Sequence, residues 1–207
     1  MNPSSQAETP RPEALFLDST SLLGNPEALR RRAQEEGYLF FRGLLPQSDL
    51  LDLRGELLEV VERHGWRKPG QDRLGGAMDL ERLTLLPEAE LRTDIGVSIA
   101  AYQDAQRLER LHRLPHHPHL LELYSTLFGG DVLVHPRHIQ IRLSMDVRYQ
   151  SAAEPIEQKS LQPHCDLSWE QIYADWQHDD LKYYWRKGEL ELAPWDDHYL
   201  QPSSRIC

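Results

Sequence analysis

Apolar residues recur at helical spacing through the first third of the chain and alternate at strand spacing only after residue 130. GNPEALRRRAQEEG predicts a helix, with Asn25 as cap, Pro26 in the first turn and Gly37 as the stop. Tyr38 to Phe41, inside YLFFRG, predicts a short buried strand. LPQSDLLDLRGELLEVVERHG follows as a second helix, capped by Ser48 and ended by Gly65, with Leu50, Leu53, Leu57 and Val61 along one face. Gly65 to Gly76 is rich in glycine and proline and reads as loop. Further helices are expected over Val97 to Leu111 and over HHPHLLELYSTLFGG, the latter opened by Pro118 and closed by Gly129-Gly130.

DVLVHP and HIQIRLSMDVRYQ then alternate as strands do, with Ile139, Ile141 and Leu143 facing one way and His138, Gln140 and Arg142 the other. SWEQIYADW and HDDLKYYWRKG predict short helices, Ser168 capping the first, and ELELAPW predicts a last strand. Trp169, Tyr173, Trp176, Tyr183, Tyr184, Trp185 and Trp195 crowd the C-terminal region and are expected to pack it against the sheet. The pattern therefore predicts an α+β protein with roughly four or five strands, fewer than the about eight of a jelly roll.

A length of 207 residues fits one domain, expected over 14–207, preceded by a disordered Pro-, Ser- and Glu-rich tail over 1–13. The net charge of −10 argues against a general nucleic-acid or membrane-surface binder, and Arg30-Arg31-Arg32 reads as the solvated face of a helix. No apolar run approaches the ~18 residues of a membrane span, and no secretory signal pattern opens the chain. Cys165 and Cys207 make no disulfide framework, so a cytoplasmic protein is expected.

His164-Cys165-Asp166 reads as His-x-Asp, the pair that opens the 2-His-1-carboxylate set of non-haem iron oxygenases. On a strand, residues two apart point the same way and can grip one metal. Pro163 before the pair and Ser168-Trp169-Glu170 after it instead suit a turn leading into a helix. If the pair binds iron, the third ligand must be His178 or His198; otherwise both residues sit on a surface loop. LHRLPHHPH offers His112, His116, His117 and His119, but Pro115 interrupts the helix and no cysteine is near, so solvated histidines at a helix–helix turn are expected rather than zinc. Cys165 beside His164 carries little weight as a nucleophile.

GYLFFRGLLPQSDLLDLRGELLEVVERHGW resembles the opening of the phytanoyl-CoA dioxygenase family, and LHRLPHHPHLLELYSTLFGGDVLVHPRHI looks like that family's next segment. The resemblance implies an Fe(II)- and 2-oxoglutarate-dependent oxygenase on a double-stranded β-helix, hydroxylating a small-molecule substrate. IRLSMDVRYQSAAEPIEQKSLQPHCDLSWEQIYADWQHDDLKYYW resembles the C-terminal end of family members, which follows the distal histidine. On that alignment Arg142 is the candidate 2-oxoglutarate arginine, with Arg137 as the weaker candidate, a bidentate task suited to guanidinium. The segment carrying the iron ligands would lie between Ile139 and Gln140 and is absent, which leaves an incomplete double-stranded β-helix. Two function classes follow: an impaired oxygenase, or a non-catalytic binding protein derived from one. Unpaired sheet edges would invite a second copy of the chain.

Overall fold

A computed structural model describes residues 16–85, 87, 91–92, 97–136, 140–141, 145–164 and 166–194, with 91–92, 97 and 140–141 described in backbone only. The expectations for the 1–13 tail, Arg137, Arg142, Cys165, Trp195 and His198 fall outside these residues. The chain divides into two compact units, 1–42 and 43–207.

In the first unit, α1 (Pro26–Glu36) begins and ends where the sequence predicts. The Asn25 side chain accepts from the Ala28 amide, and Gly37 closes the helix at φ 74°, the left-handed conformation glycine adopts without strain. The expected strand over Tyr38 to Phe41 reduces to one bridge between Phe40 and Asp18, with the Phe16 ring stacked on Phe40.

The second unit opens with α2 (Gln47–Arg63), followed by α3 (Leu80–Thr84), α4 (Ile99–Gln106), α5 (Glu109–Arg113) and α6 (Pro118–Phe128). Pro46, not Ser48, occupies the α2 cap position, and no side chain bonds there. Leu50 is exposed while Leu53 and Val60 are buried, so the inward stripe of α2 is rotated from the one its leucines suggest. The helix expected over Val97 to Leu111 is broken at Arg107-Leu108, because Leu111 and Leu114 turn inward to meet Leu53 on α2.

Strands are short. β1 (Leu91–Arg92) pairs with β2 (Val97–Ser98), β3 (Val132–Val134) with β6 (Tyr149–Ser151), and β4 (Gln140–Ile141) with β5 (Met145–Asp146), all antiparallel. β7 (Ile156–Glu157) pairs in parallel with β8 (Leu192–Ala193). The expected long strand from His138 is thus divided among β4, β5 and β6. Every sheet among the described residues has two strands, so the protein is a mixed α+β structure of helices and small sheets. Two-stranded pairs are marginal alone, and here the packing comes from side chains. Leu133 on β3 and Ile156 on β7 meet Trp169, Ile172 and Tyr173 on α7 (Trp169–Tyr173), together with Trp176 and Trp185. The helix expected over HDDLKYYWRKG is only a 3₁₀ turn, Tyr184–Arg186, entered through Tyr183 at φ 51°. No helix of the described residues is long and apolar enough to cross a membrane.

Candidate functional site

His164 and Asp166 sit on the turn between a 3₁₀ segment, Gln158–Leu161, and α7. The turn is fixed from both ends. Trp169 donates its indole N–H back to the Leu161 carbonyl at 2.8 Å, and buried Leu167 anchors the chain between them. Ser168 and Gln171 form a reciprocal capping box that starts α7. Asp166 is exposed and held at φ 57°, a conformation aspartate tolerates better than most residues. His164 is half-buried on a bend, its ring edge-on to Tyr102 at 6.2 Å.

The pair therefore lacks the strand geometry that would aim both side chains at one metal, and the two residues do not fit as an iron-binding His-x-Asp. His178, a sequence candidate for the third ligand, instead bonds Glu109 on α5 through Nδ1 at 2.9 Å. Among the described residues, no group of three or more His, Cys, Asp or Glu side chains is placed to hold a metal ion.

Two other features emerge in the 43–207 unit. The first is an open cleft of about 940 Å³ between α2, α5 and the 175–178 segment. Its walls carry ion pairs: Arg110–Glu56 at 2.9 Å, Arg107–Asp104 at 2.8 Å and Arg113–Glu109 at 2.6 Å, with Arg113 also bound to Asp180. Glu109 is 15% exposed. Burial raises its carboxyl pKa, but hydrogen bonds from Arg113, the Gln177 amide and His178 outweigh burial and hold it below the usual range. Because each of these guanidiniums already has a carboxylate, the cleft wall alternates in sign and presents no single charge to a ligand.

The second is a small cavity of about 10 Å³, roughly one water molecule in size, lined by His112, His116 and His135 opposite Tyr173, Trp176 and Tyr184. The expectation of solvated histidines here is corrected. His112 is only 8% exposed, and His116 is half-buried, because Pro115 lies in a 3₁₀ turn that folds the segment onto the aromatic cluster. His112 Nε2 bonds the Gln106 carbonyl at 2.8 Å, and its ring lies 5.1 Å from that of Trp176. Burial pushes the His112 pKa down to about 4. A sequence signal existed for this placement: Leu108, Leu111, His112 and Pro115 follow the i, i+3, i+4, i+7 spacing of an inward stripe, with His112 in an apolar position. His135 had no such signal beyond following the buried Val134.

No family model, curated protein or solved structure matches this chain. The 43–207 unit is a mixed α+β structure with a charged cleft and a histidine-lined cavity.

Proposed function

We propose that the chain is a shortened relative of the phytanoyl-CoA dioxygenase family that acts by binding rather than by oxidation. In this reading its two-stranded sheets are the remnant of a double-stranded β-helix whose iron-bearing strands are gone. The observation that carries the reading is the placement of His164 and Asp166 on the turn into α7, with Asp166 exposed in the left-handed region. The Ser168–Gln171 capping box begins a helix two residues after Asp166. Arg142, with Arg137 behind it, remains the candidate contact for a carboxylate ligand such as 2-oxoglutarate, by resemblance alone.

Thermal denaturation under anaerobic conditions tests this. A ligand at a hundred times its Kd adds about 2.7 kcal/mol to folded-state stability. We expect 2-oxoglutarate alone to raise the midpoint, Fe(II) to add nothing, and Arg142→Ala to remove the effect. An increment that requires Fe(II) and disappears in His164→Ala would overturn the binding-only reading.

A further inference from the structure

We propose that the His112–His116–His135 cavity is an acid-sensitive latch: proton uptake by its histidines at mildly acid pH releases the 173–185 segment and exposes Trp176 and Trp185. The inference does not rest on the fate of the iron ligands.

Three elements bring the histidines together: α5 carries His112, the Leu114–His116 turn carries His116, and His135 directly follows β3. The facing wall is the 173–185 segment, whose His116–Tyr184 contact is edge-on at 4.5 Å. Hydrogen bonds tie that wall down along its length: Tyr184 Oη donates to the Val134 carbonyl at 2.6 Å, Trp176 Nε1 donates to the Arg107 carbonyl at 3.1 Å, the Gln177 amide donates to Glu109 at 2.7 Å, His178 Nδ1 bonds Glu109 at 2.9 Å, and Arg113 donates to Asp180. Beyond α7 its regular structure is one 3₁₀ turn, entered through a left-handed tyrosine.

His116 is where the proton arrives. Its Nδ1–H donates to the His112 carbonyl at 3.0 Å, so Nε2 holds the lone pair, and that atom is buried with no hydrogen-bond partner among the described residues. A proton from solvent added to Nε2 would create an imidazolium with no acceptor, a costly buried cation.

The surrounding groups do not relieve that cost. From α5, Arg113 acts on His116 as a like charge. From the 178–187 segment, Asp180 acts favourably on His116, but Arg113 already holds it with two hydrogen bonds. Beside β6, Arg148 opposes a charge on His135, whose Nε2 bonds Gln150 at 2.7 Å. Tyr173 and Tyr184 line the cavity and Tyr149 bonds the Pro115 carbonyl; burial raises the pKa of all three, so they stay neutral. His112 and His116 also repel one another once charged.

Tryptophan fluorescence and near-UV dichroism of the full chain, titrated from about pH 7.5 to 4.5, read the latch, and far-UV dichroism reads the helices. The tertiary signals should change with a midpoint between about pH 6 and 5 while the far-UV signal holds. His116→Asn keeps a donor to the His112 carbonyl but cannot titrate; it should move the midpoint acidward by about half a pH unit, whereas His119→Gln, outside the cavity, should not. A His116→Asn midpoint equal to that of the natural chain, or joint loss of all signals only below about pH 4.5, would overturn the proposal. If His116→Asn does not fold at neutral pH, hydrogen exchange on the natural chain decides. Protection in 173–185 should fall about tenfold more than in α2 between pH 7.5 and 5.5, after correction for intrinsic rates, and a uniform change would reject the latch.

Discussion

Around α2, the 43–207 unit is held by a small aliphatic core, Leu53, Leu111 and Leu114, dressed with exposed or half-exposed ion pairs. Around α7 the packing is different: Trp169, Tyr173, Trp176 and Trp185 interlock with Ile156 and Ile172, and the polar groups are turned inward as indole, phenol and imidazole hydrogen bonds. The first region tolerates loss of any one ion pair, since such pairs contribute at most about 1 kcal/mol each. The second spends its polar groups where water cannot replace them, so each is costly to leave unpaired. The contrast explains why strands of two or three residues persist on the α7 side. Aromatic packing, not sheet extent, holds them.

The largest effect is expected at Trp185, whose ring lies tilted 4.7 Å from that of Trp169 and edge-on 5.0 Å from that of Tyr184. Trp185→Ala should destabilise the unit by about 3–5 kcal/mol, read from the urea midpoint. A loss below about 1 kcal/mol would mean that the aromatic cluster is not the main support of this side.

Acid is the next lever. The His112 pKa falls from 6.5 to about 4 on folding, which amounts to about 3 kcal/mol of stability at stake. Because the folded value is the lower one, the unfolded chain takes up the proton first. Stability is complete above pH 6.5, falls through the interval to about 4, and has lost this contribution below it. Glu109 acts later, since its folded pKa lies below 4.5 and its contribution is lost only as pH drops through that range. Urea midpoints at pH 7.5, 5.5, 4.5 and 3.5 separate the two, with His112→Gln flattening the upper interval.

Smaller effects sharpen the contrast. Ser168→Ala removes the capping box of α7 and should cost about 1 kcal/mol in the same urea assay. Gly55 lies under the Arg73 guanidinium, where an added Cβ would stand 2.5 Å from Cζ. Arg73 is a flexible, half-exposed side chain paired at 3.7 Å with Asp52 and 3.6 Å with Glu59, and can move aside. Gly55→Ala should therefore change stability by less than about 1 kcal/mol, helix propensity offsetting the displaced pairs.

Helices with strong punctuation were legible in the sequence. Asn25-Pro26 and Gly37 mark α1, and Pro118 and Gly129 mark α6, because caps and breakers act over a few residues. The face of α2 was misread because Leu50 and Leu53 look equivalent in the pattern, and only the position of α5 decides which is covered. The long strand from His138 was misread for a similar reason: alternation favours extended chain but does not specify where it turns back, and β4 and β5 form their own pair. The turn placement of His164 and Asp166 was legible in the sequence, since Pro163 and Ser168 flank the pair. The histidine cavity was not, because its walls come from α5, β3 and the 173–185 segment, far apart in the chain.

The most direct test of the account is an anaerobic titration of the natural chain with Fe(II) and 2-oxoglutarate, followed by visible absorbance. The account predicts no charge-transfer band in a folded sample, because His164 and Asp166 lie on a turn that does not aim them at one metal. A band that appears and is abolished by both His164→Ala and Asp166→Ala would contradict it and establish a compact iron site at that turn.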